Sequence, residues 1–229
     1  MHRILFVQSR TDPTRVERER DNFRRAIGEA AEIDFLSALD EKLAWTSPNE
    51  FLKDCNGVIF GGSSDFDFDG GRDAKDPARL MSMIILSRTK MMVRYALAER
   101  VPVLGVCFGH QIIAQMHGGG VHRDLTQGKF GAHEVHLTEA GERDPLFSRL
   151  PKSFIAQYAH KDSAKTLPEG ATLLATGESC RFSALRYGDR AYTMQFHPEI
   201  ERMTGASEGS PDAYLLLVHW LDAVVSMKS

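Results

Sequence analysis

The sequence predicts an α/β sheet protein, and three observations carry that prediction. Short apolar runs of strand type alternate with helical patterns through the first half of the chain. Twice an Asp-Pro pair stands at the head of a helical stretch. Beyond residue 130 the pattern turns strand-rich, and one amphipathic stretch closes the chain. With 229 residues, 42% apolar and 26% charged, there is enough chain for a full core, and residues 1–229 read as a single domain.

The first run, residues 3–7, is read as a buried strand around Ile4-Leu5-Phe6-Val7. Four apolar residues are too few for a signal-peptide core, and no run approaches the roughly 18 that a membrane span requires. A cytoplasmic protein without membrane partners is expected. Asp12-Pro13 caps a helix carrying Val16, Phe23, Ile27 and Ala30, and the charges from Arg15 to Arg25 read as its solvated face. Ile33 to Leu36 and Gly57 to Phe60 are the second and third strands, the latter ending abruptly at Gly61-Gly62. Asp76-Pro77 opens a helical stretch, in one or two pieces, reaching about Arg100. Its Met81, Met83, Met91 and Met92 read as gap fillers facing core or partner. Val101 to Val106 is a buried strand that tolerates Pro102 at its start. Strands follow near 133–137, 154–158, 171–176, 182–187 and 191–196. Ser210 and Pro211 open a last helix with Leu217, Val218, Leu221, Val224 and Val225 on one face.

Lys and Arg number 28 against 31 Asp and Glu, a net charge of −3 without a long basic run, which argues against a nucleic-acid binder. Three cysteines, Cys55, Cys107 and Cys180, suit a reducing compartment in which one thiol is reactive. Context selects Cys107. In Val103-Leu104-Gly105-Val106-Cys107-Phe108-Gly109-His110-Gln111 an apolar strand runs directly into a helical pattern, with glycines two residues to either side of the sulfur. Gly-x-Cys-x-Gly has the logic of a nucleophile elbow, a sharp strand-to-helix turn whose glycines permit close backbone approach. The helix start favours thiolate, and the Phe108 N–H is placed to stabilise an oxyanion. Cys55, in a turn, and Cys180, in a polar stretch, have no such setting.

A nucleophilic cysteine needs a base, and the base needs an orienting group. Met194-Gln195-Phe196-His197-Pro198-Glu199 offers both: the proline keeps His197 out of helical geometry, and Glu199, two residues on, points the same way. Two other signals compete. Asp65-Phe66-Asp67-Phe68-Asp69-Gly70 with Asp76 partly mimics a calcium loop, but Arg72 and the missing glutamate favour a solvated acidic loop. His110, His117, His122, His133 and His136 match no zinc spacing, so no metal is expected.

Gly-Val-Cys-Phe-Gly-His-Gln at 105–111 and Gln-Phe-His-Pro-Glu at 195–199 resemble the two signatures of class I (triad-type) glutamine amidotransferases, including the glutaminase domain of GMP synthase. Gly61-Gly62 resembles the family's glycine turn that supplies another oxyanion N–H. Gly128-Lys129-Phe130-Gly131 resembles the segment beside the glutamine pocket, with Gly-Lys where synthetase-linked members often carry an acidic residue. Tyr158-Ala159-His160-Lys161-Asp162 resembles the Ser-His-x-Asp stretch, with alanine for serine. The resemblance covers essentially the whole chain. It implies an open, mostly parallel twisted sheet flanked by helices, a flavodoxin-like class I amidotransferase fold with the site at the carboxyl ends of the strands. It implies a Cys107, His197 and Glu199 triad attacking the γ-amide of glutamine or a γ-glutamyl compound. Gly61, Gly62, Phe108, Gln111, Phe130, Gly131 and His160 would form the oxyanion and substrate sites, and no cofactor is required. Three uses are open: a glutaminase subunit feeding ammonia to a separate synthetase, a stand-alone γ-glutamyl hydrolase or transferase, and a non-catalytic regulatory module. The acidic loop 65–76 would border the pocket mouth.

Overall fold

The structure is a computed structural model that describes residues 1–178 and 180–226. The chain begins with β1 (His2–Gln8), α1 (Pro13–Ile27) and β2 (Ala31–Ser37). A single turn, α2 (Asn49–Leu52), leads to β3 (Gly57–Phe60), the long α3 (Pro77–Ala98), β4 (Val103–Val106) and α4 (Phe108–Met116). The strand-rich half holds β5 (Val121–Arg123), β6 (Lys129–Leu137), the short α5 (Glu139–Glu142), β7 (Ser153–His160) and β8 (Asp162–Ala164). It continues through β9 (Ala171–Gly177), β10 (Cys180–Tyr187) and β11 (Ala191–Met194) to the short helices α6 (Pro211–Tyr214) and α7 (Leu216–Trp220).

Nine strands form one sheet in the order β2-β1-β3-β4-β11-β10-β9-β6-β7. The pairings from β2 through β1, β3 and β4 to β11 are parallel, and the four beyond β11 are antiparallel. The parallel strands β3, β4 and β11 are buried along their whole length, as strands covered on both faces must be. Alternation in β1 divides the core. Ile4 and Phe6 pack with Phe23 and Ala26 of α1 and with Leu217 and Trp220 of α7. Leu5 and Val7 face the other way, onto Ile85, Met92 and Val93 of α3 and Ile112 and Ile113 of α4.

Both Asp-Pro signals hold. Asp12 accepts from the Arg15 N–H at 2.9 Å and Asp76 from the Ala78 N–H at 2.8 Å. The stretch after Asp76 is one continuous helix of 22 residues. Met92 is in the core, while Met83 and Met91 are exposed. The last helix is broken: α6 and α7 are followed by a π-helical turn at Leu221–Val225. Ser210 does not cap it; its hydroxyl donates to the Ile200 and Glu201 carbonyls. Val218 points to solvent instead of joining the apolar face. The small antiparallel pair β5-β8 was not anticipated, because three-residue strands carry no period. Among the described residues no helix is long and apolar enough to cross a membrane.

Candidate active site

Cys107 stands between β4 and α4 with φ 52° and ψ −101°, a conformation that side-chain-bearing residues rarely adopt. The backbone around it is tightly determined. The Cys107 N–H donates to the Met194 carbonyl at 2.9 Å, and the Gly109 N–H donates to the Gly61 carbonyl at 3.0 Å. A Cβ at Gly105 would lie 2.9 Å from the Gly109 carbonyl oxygen, and one at Gly109 would lie 2.1 Å from that of Phe60. Both flanking glycines are therefore sterically required, and the elbow is real.

Register delivers the histidine. Parallel pairing sets Met194 of β11 opposite Val106 of β4, so the chain leaving β11 passes beside the elbow. The His197 N–H donates to the Gln157 carbonyl at 2.8 Å. His197 Nδ1 and Glu199 Oε1 are 2.7 Å apart, and both side chains are buried. Burial by itself would lower the His197 pKa, but the Glu199 carboxylate and Cys107, which also hydrogen-bonds to it, raise it well above the ordinary value. Such an imidazole keeps its proton beside the sulfur, whose Sγ also lies 3.9 Å from the Ala159 carbonyl oxygen. Cys55 and Cys180 are set apart: Cys55 donates to the Phe51 carbonyl at 3.2 Å, and Cys180 lies in the core, where burial pushes its thiol up to about 11. The polar stretch around Cys180 is thus the edge of a buried strand.

Cys107 opens into a cavity of about 230 Å³ walled by Gln111, Phe130, His160, Lys161, Phe66 and Asp67, with Arg15 and Ser63 at its rim. The Gln111 amide nitrogen donates to the Asp162 carbonyl at 2.8 Å and to Gln195 Oε1 at 3.2 Å, which fixes the side chain. His160 Nδ1 lies 3.1 Å from the Asp162 carbonyl oxygen, so Nδ1 carries the proton and Nε2 is a bare acceptor. That Nε2 is buried without a partner among the described residues, and burial lowers the ring's pKa to about 4. Phe130 is 66% exposed at the mouth. Gly131, at φ 89° and opposite Tyr158 in the β6-β7 ladder, is not on the cavity wall. A larger concavity of about 650 Å³, between Ile155 and Asp212, contains neither cysteine nor histidine.

The Gly61-Gly62 turn adjoins the sulfur: a Cβ at Gly62 would lie 3.2 Å from His197 Cε1 and 3.6 Å from Cys107 Cβ. Its two N–H groups are engaged elsewhere, Gly61 with the Val7 carbonyl at 3.0 Å and Gly62 with Glu19 Oε1 at 3.2 Å. The Phe108 N–H, at the first position of α4, has no acceptor among the described residues. Glu19 corrects the reading of α1 as carrying a wholly solvated charge run. It is 3% exposed, and the signal for this in the sequence is its place one turn before Phe23 on the apolar stripe. Nor is the acidic loop simply solvated. Asp65 pairs with Arg15, Asp67 with Arg72, and Asp162 accepts from the Asp69 and Gly70 N–H groups at 2.8 and 2.7 Å. The loop does border the cavity, through Phe66 and Asp67. His110 is buried against Thr193, and His117 packs on Tyr187. Among the described residues no three His, Cys, Asp or Glu side chains are gathered to hold a metal ion.

Residues 75–209 match the family model of glutamine amidotransferase class-I. The chain belongs to that family. It is 36% identical over 118 residues to the glutamine-hydrolyzing GMP synthase subunit of Methanocaldococcus jannaschii, covering 50% of this chain and 60% of that protein. It is 31% identical over 156 residues to the corresponding protein of Archaeoglobus fulgidus, covering 68% and 72%. The fold matches the crystal structure of a proposed GMP synthase subunit from Thermoplasma acidophilum with a TM-score of 0.71 and 20% identity, over 99% of this chain and 95% of that one. The matched residues include both the elbow and the His-x-Glu segment. Arg10, Glu19 and Ser63, which lie around the elbow and its cavity, had no motif to reveal them, whereas Asp67 belongs to the acidic loop expected at the pocket mouth.

Proposed function

We propose that this chain hydrolyses the γ-amide of glutamine through a Cys107, His197 and Glu199 triad and supplies the ammonia to a separate synthetase subunit. The observation that carries the reading is a cysteine held at positive φ on a helix start, facing a histidine that a buried glutamate grips at 2.7 Å. In the first half-reaction Cys107 Sγ attacks the carboxamide carbon, and the carbonyl oxygen takes the negative charge. The Phe108 N–H, joined by an N–H of the Gly61-Gly62 turn, stabilises that charge. His197 passes its proton to the amide nitrogen, the C–N bond breaks, and ammonia leaves a γ-glutamyl thioester. His197 then takes a proton from water, the hydroxide oxygen attacks the thioester carbonyl, and glutamate departs as the thiolate is restored. Glu199 holds the ring in the required tautomer and balances the imidazolium charge.

The cavity suits the amino-acid end of glutamine. Arg15 and Lys161 offer cations to an α-carboxylate, while Asp67 and the bare His160 Nε2 offer acceptors to an α-ammonium. Gln111 and Phe130 complete the wall, and Gly131 supports it from the ladder behind. The whole chain acts as one domain in a reducing, cytoplasmic setting, where its three free thiols persist.

The test is glutamate release from glutamine and from several γ-glutamyl peptides by the purified chain, by itself and with a GMP synthase synthetase partner, against Cys107→Ala. Glutamine-dependent release that rises with the synthetase and vanishes in the variant is the expected result. Release confined to γ-glutamyl peptides would move the assignment to a stand-alone hydrolase. Equal release by wild type and Cys107→Ala would overturn the nucleophile, and silence throughout would leave the fold as a non-catalytic module.

A further inference from the structure

The Gly61-Gly62 turn borders Cys107, yet neither of its N–H groups faces the sulfur. Gly62 turns its Cα hydrogen towards His197 and Cys107 and its N–H towards Glu19, 3.2 Å away. Glu19 comes from α1, outside the elbow and outside the His-x-Glu segment. Its carboxylate is 3% exposed and lies 3.0 Å from Arg10 Nε and 3.0 Å from Gln8 Nε2. Arg10 also reaches the turn itself, its Nη1 donating to Ser64 Oγ at 3.0 Å.

We propose that Glu19 is a latch on the oxyanion turn, a positioning residue that holds the Gly62 N–H away from the reacting carbonyl until the peptide turns. The inference rests on the glutaminase reading above, which requires a second donor beside Phe108. A carboxylate is a stronger acceptor than an amide carbonyl, so the resting bond is charge-assisted and favoured while no oxyanion exists. Once negative charge develops on the substrate oxygen, that oxygen competes for the same N–H on equal terms. Glu19 can release it without being stranded, because Arg10 and Gln8 remain on the carboxylate. Gly62 can turn because it has no side chain to sweep into His197, which a Cβ would approach to 3.2 Å. The same peptide's carbonyl accepts from the Gly109 N–H, so the turn is restrained from both ends and a tilt strains the elbow's own bond. A hole that is half-built at rest lowers kcat and leaves substrate binding alone.

Glu19→Gln keeps the shape and removes the charge, and Glu19→Asp keeps the charge but draws Oε1, which faces both Arg10 and Gly62, back from the turn. In either folded variant, glutamine hydrolysis by the full chain should show kcat raised about fivefold with KM unchanged. Amide hydrogen exchange at Gly62 should speed up. Alkylation of Cys107 by iodoacetamide, which needs no oxyanion donor, should keep its rate. A lowered or unaltered kcat in a folded variant overturns the latch, as does unaltered Gly62 protection. Should neither wild type nor variants hydrolyse glutamine, the functional reading falls, and Gly62 exchange alone then decides whether Glu19 holds the turn.

Discussion

A single methyl group measures how much the elbow depends on its glycines. An alanine at 109 would drive its Cβ to 2.1 Å from the Phe60 carbonyl oxygen, a backbone atom that cannot swing aside. Gly109→Ala should therefore destabilise the fold by about 3 kcal/mol or more, read as a lowered urea midpoint. An unchanged midpoint would mean that the strand-to-helix junction tolerates far more than its geometry allows. Glu199 is a different kind of dependence, electrostatic instead of steric. Glu199→Gln retains the side chain's volume and removes the charge that holds His197 protonated against Cys107. We expect kcat to drop by about 100-fold or more with KM little altered, since the imidazolium matters mainly in the transition state. A drop shared equally by kcat and the folded fraction would assign Glu199 a structural role only.

At the scale of elements, legibility followed sequence distance. The central parallel strands β3 and β4 were readable because each is a short run buried on both faces, and both capped helices announced themselves through Asp-Pro. The elbow and the His-x-Glu segment were readable because their chemistry is packed into a few consecutive residues. What was hidden depends on partners far along the chain. Glu19 is buried by Gln8, Arg10 and Gly62, up to 43 residues away. The acidic loop is tied down by Asp162, 92 and 93 residues beyond it. The last helix looked continuous because its apolar spacing survives a π-helical turn, which alters hydrogen bonding more than periodicity. The tie at Asp162 has its own consequence. It keeps Phe66 and Asp67 on the cavity wall, so Asp162→Ala should release that wall and raise KM for glutamine about tenfold, with a smaller effect on kcat. Steady-state kinetics on a folded variant decide it; an unchanged KM would detach the loop from substrate binding.

For the molecule as a whole, the buried histidines set the acid limit of stability. His110 is buried against Thr193, and burial lowers its pKa to about 3; burial lowers that of His160 to about 4. Unfolded, both return to about 6.5. Above pH 6.5 these two rings are neutral in both states, and their full contribution to stability is present. Below it the unfolded chain takes up protons that the folded chain refuses, so stability falls as pH drops from 6.5 towards 4 and then 3. His197 leaves this window undisturbed: its raised pKa keeps it charged in the folded state, and below 6.5 the unfolded state is charged as well. The carboxylates Asp65 and Asp124, held down to about 2 chiefly by hydrogen bonds against burial at Asp65 and by hydrogen bonds at Asp124, lose their contribution only below about pH 4. Glu19 and Asp162, raised by burial, take up protons sooner in the folded state and act in the opposite sense near their own titrations. Loss of stability should thus begin some two pH units before the low-lying carboxylates titrate. Above 6.5 the unfolded His197 gives up a proton that the folded ring keeps, so its contribution declines as pH rises; urea unfolding at intervals from pH 8 to pH 5 should show a maximum near 6.5 and a decline on either side. His110→Gln, whose amide can retain the contact with Thr193 without titrating, should shallow the acid-side decline. An equally steep decline in the variant would mean that His110 is not kept neutral by the core it is buried in.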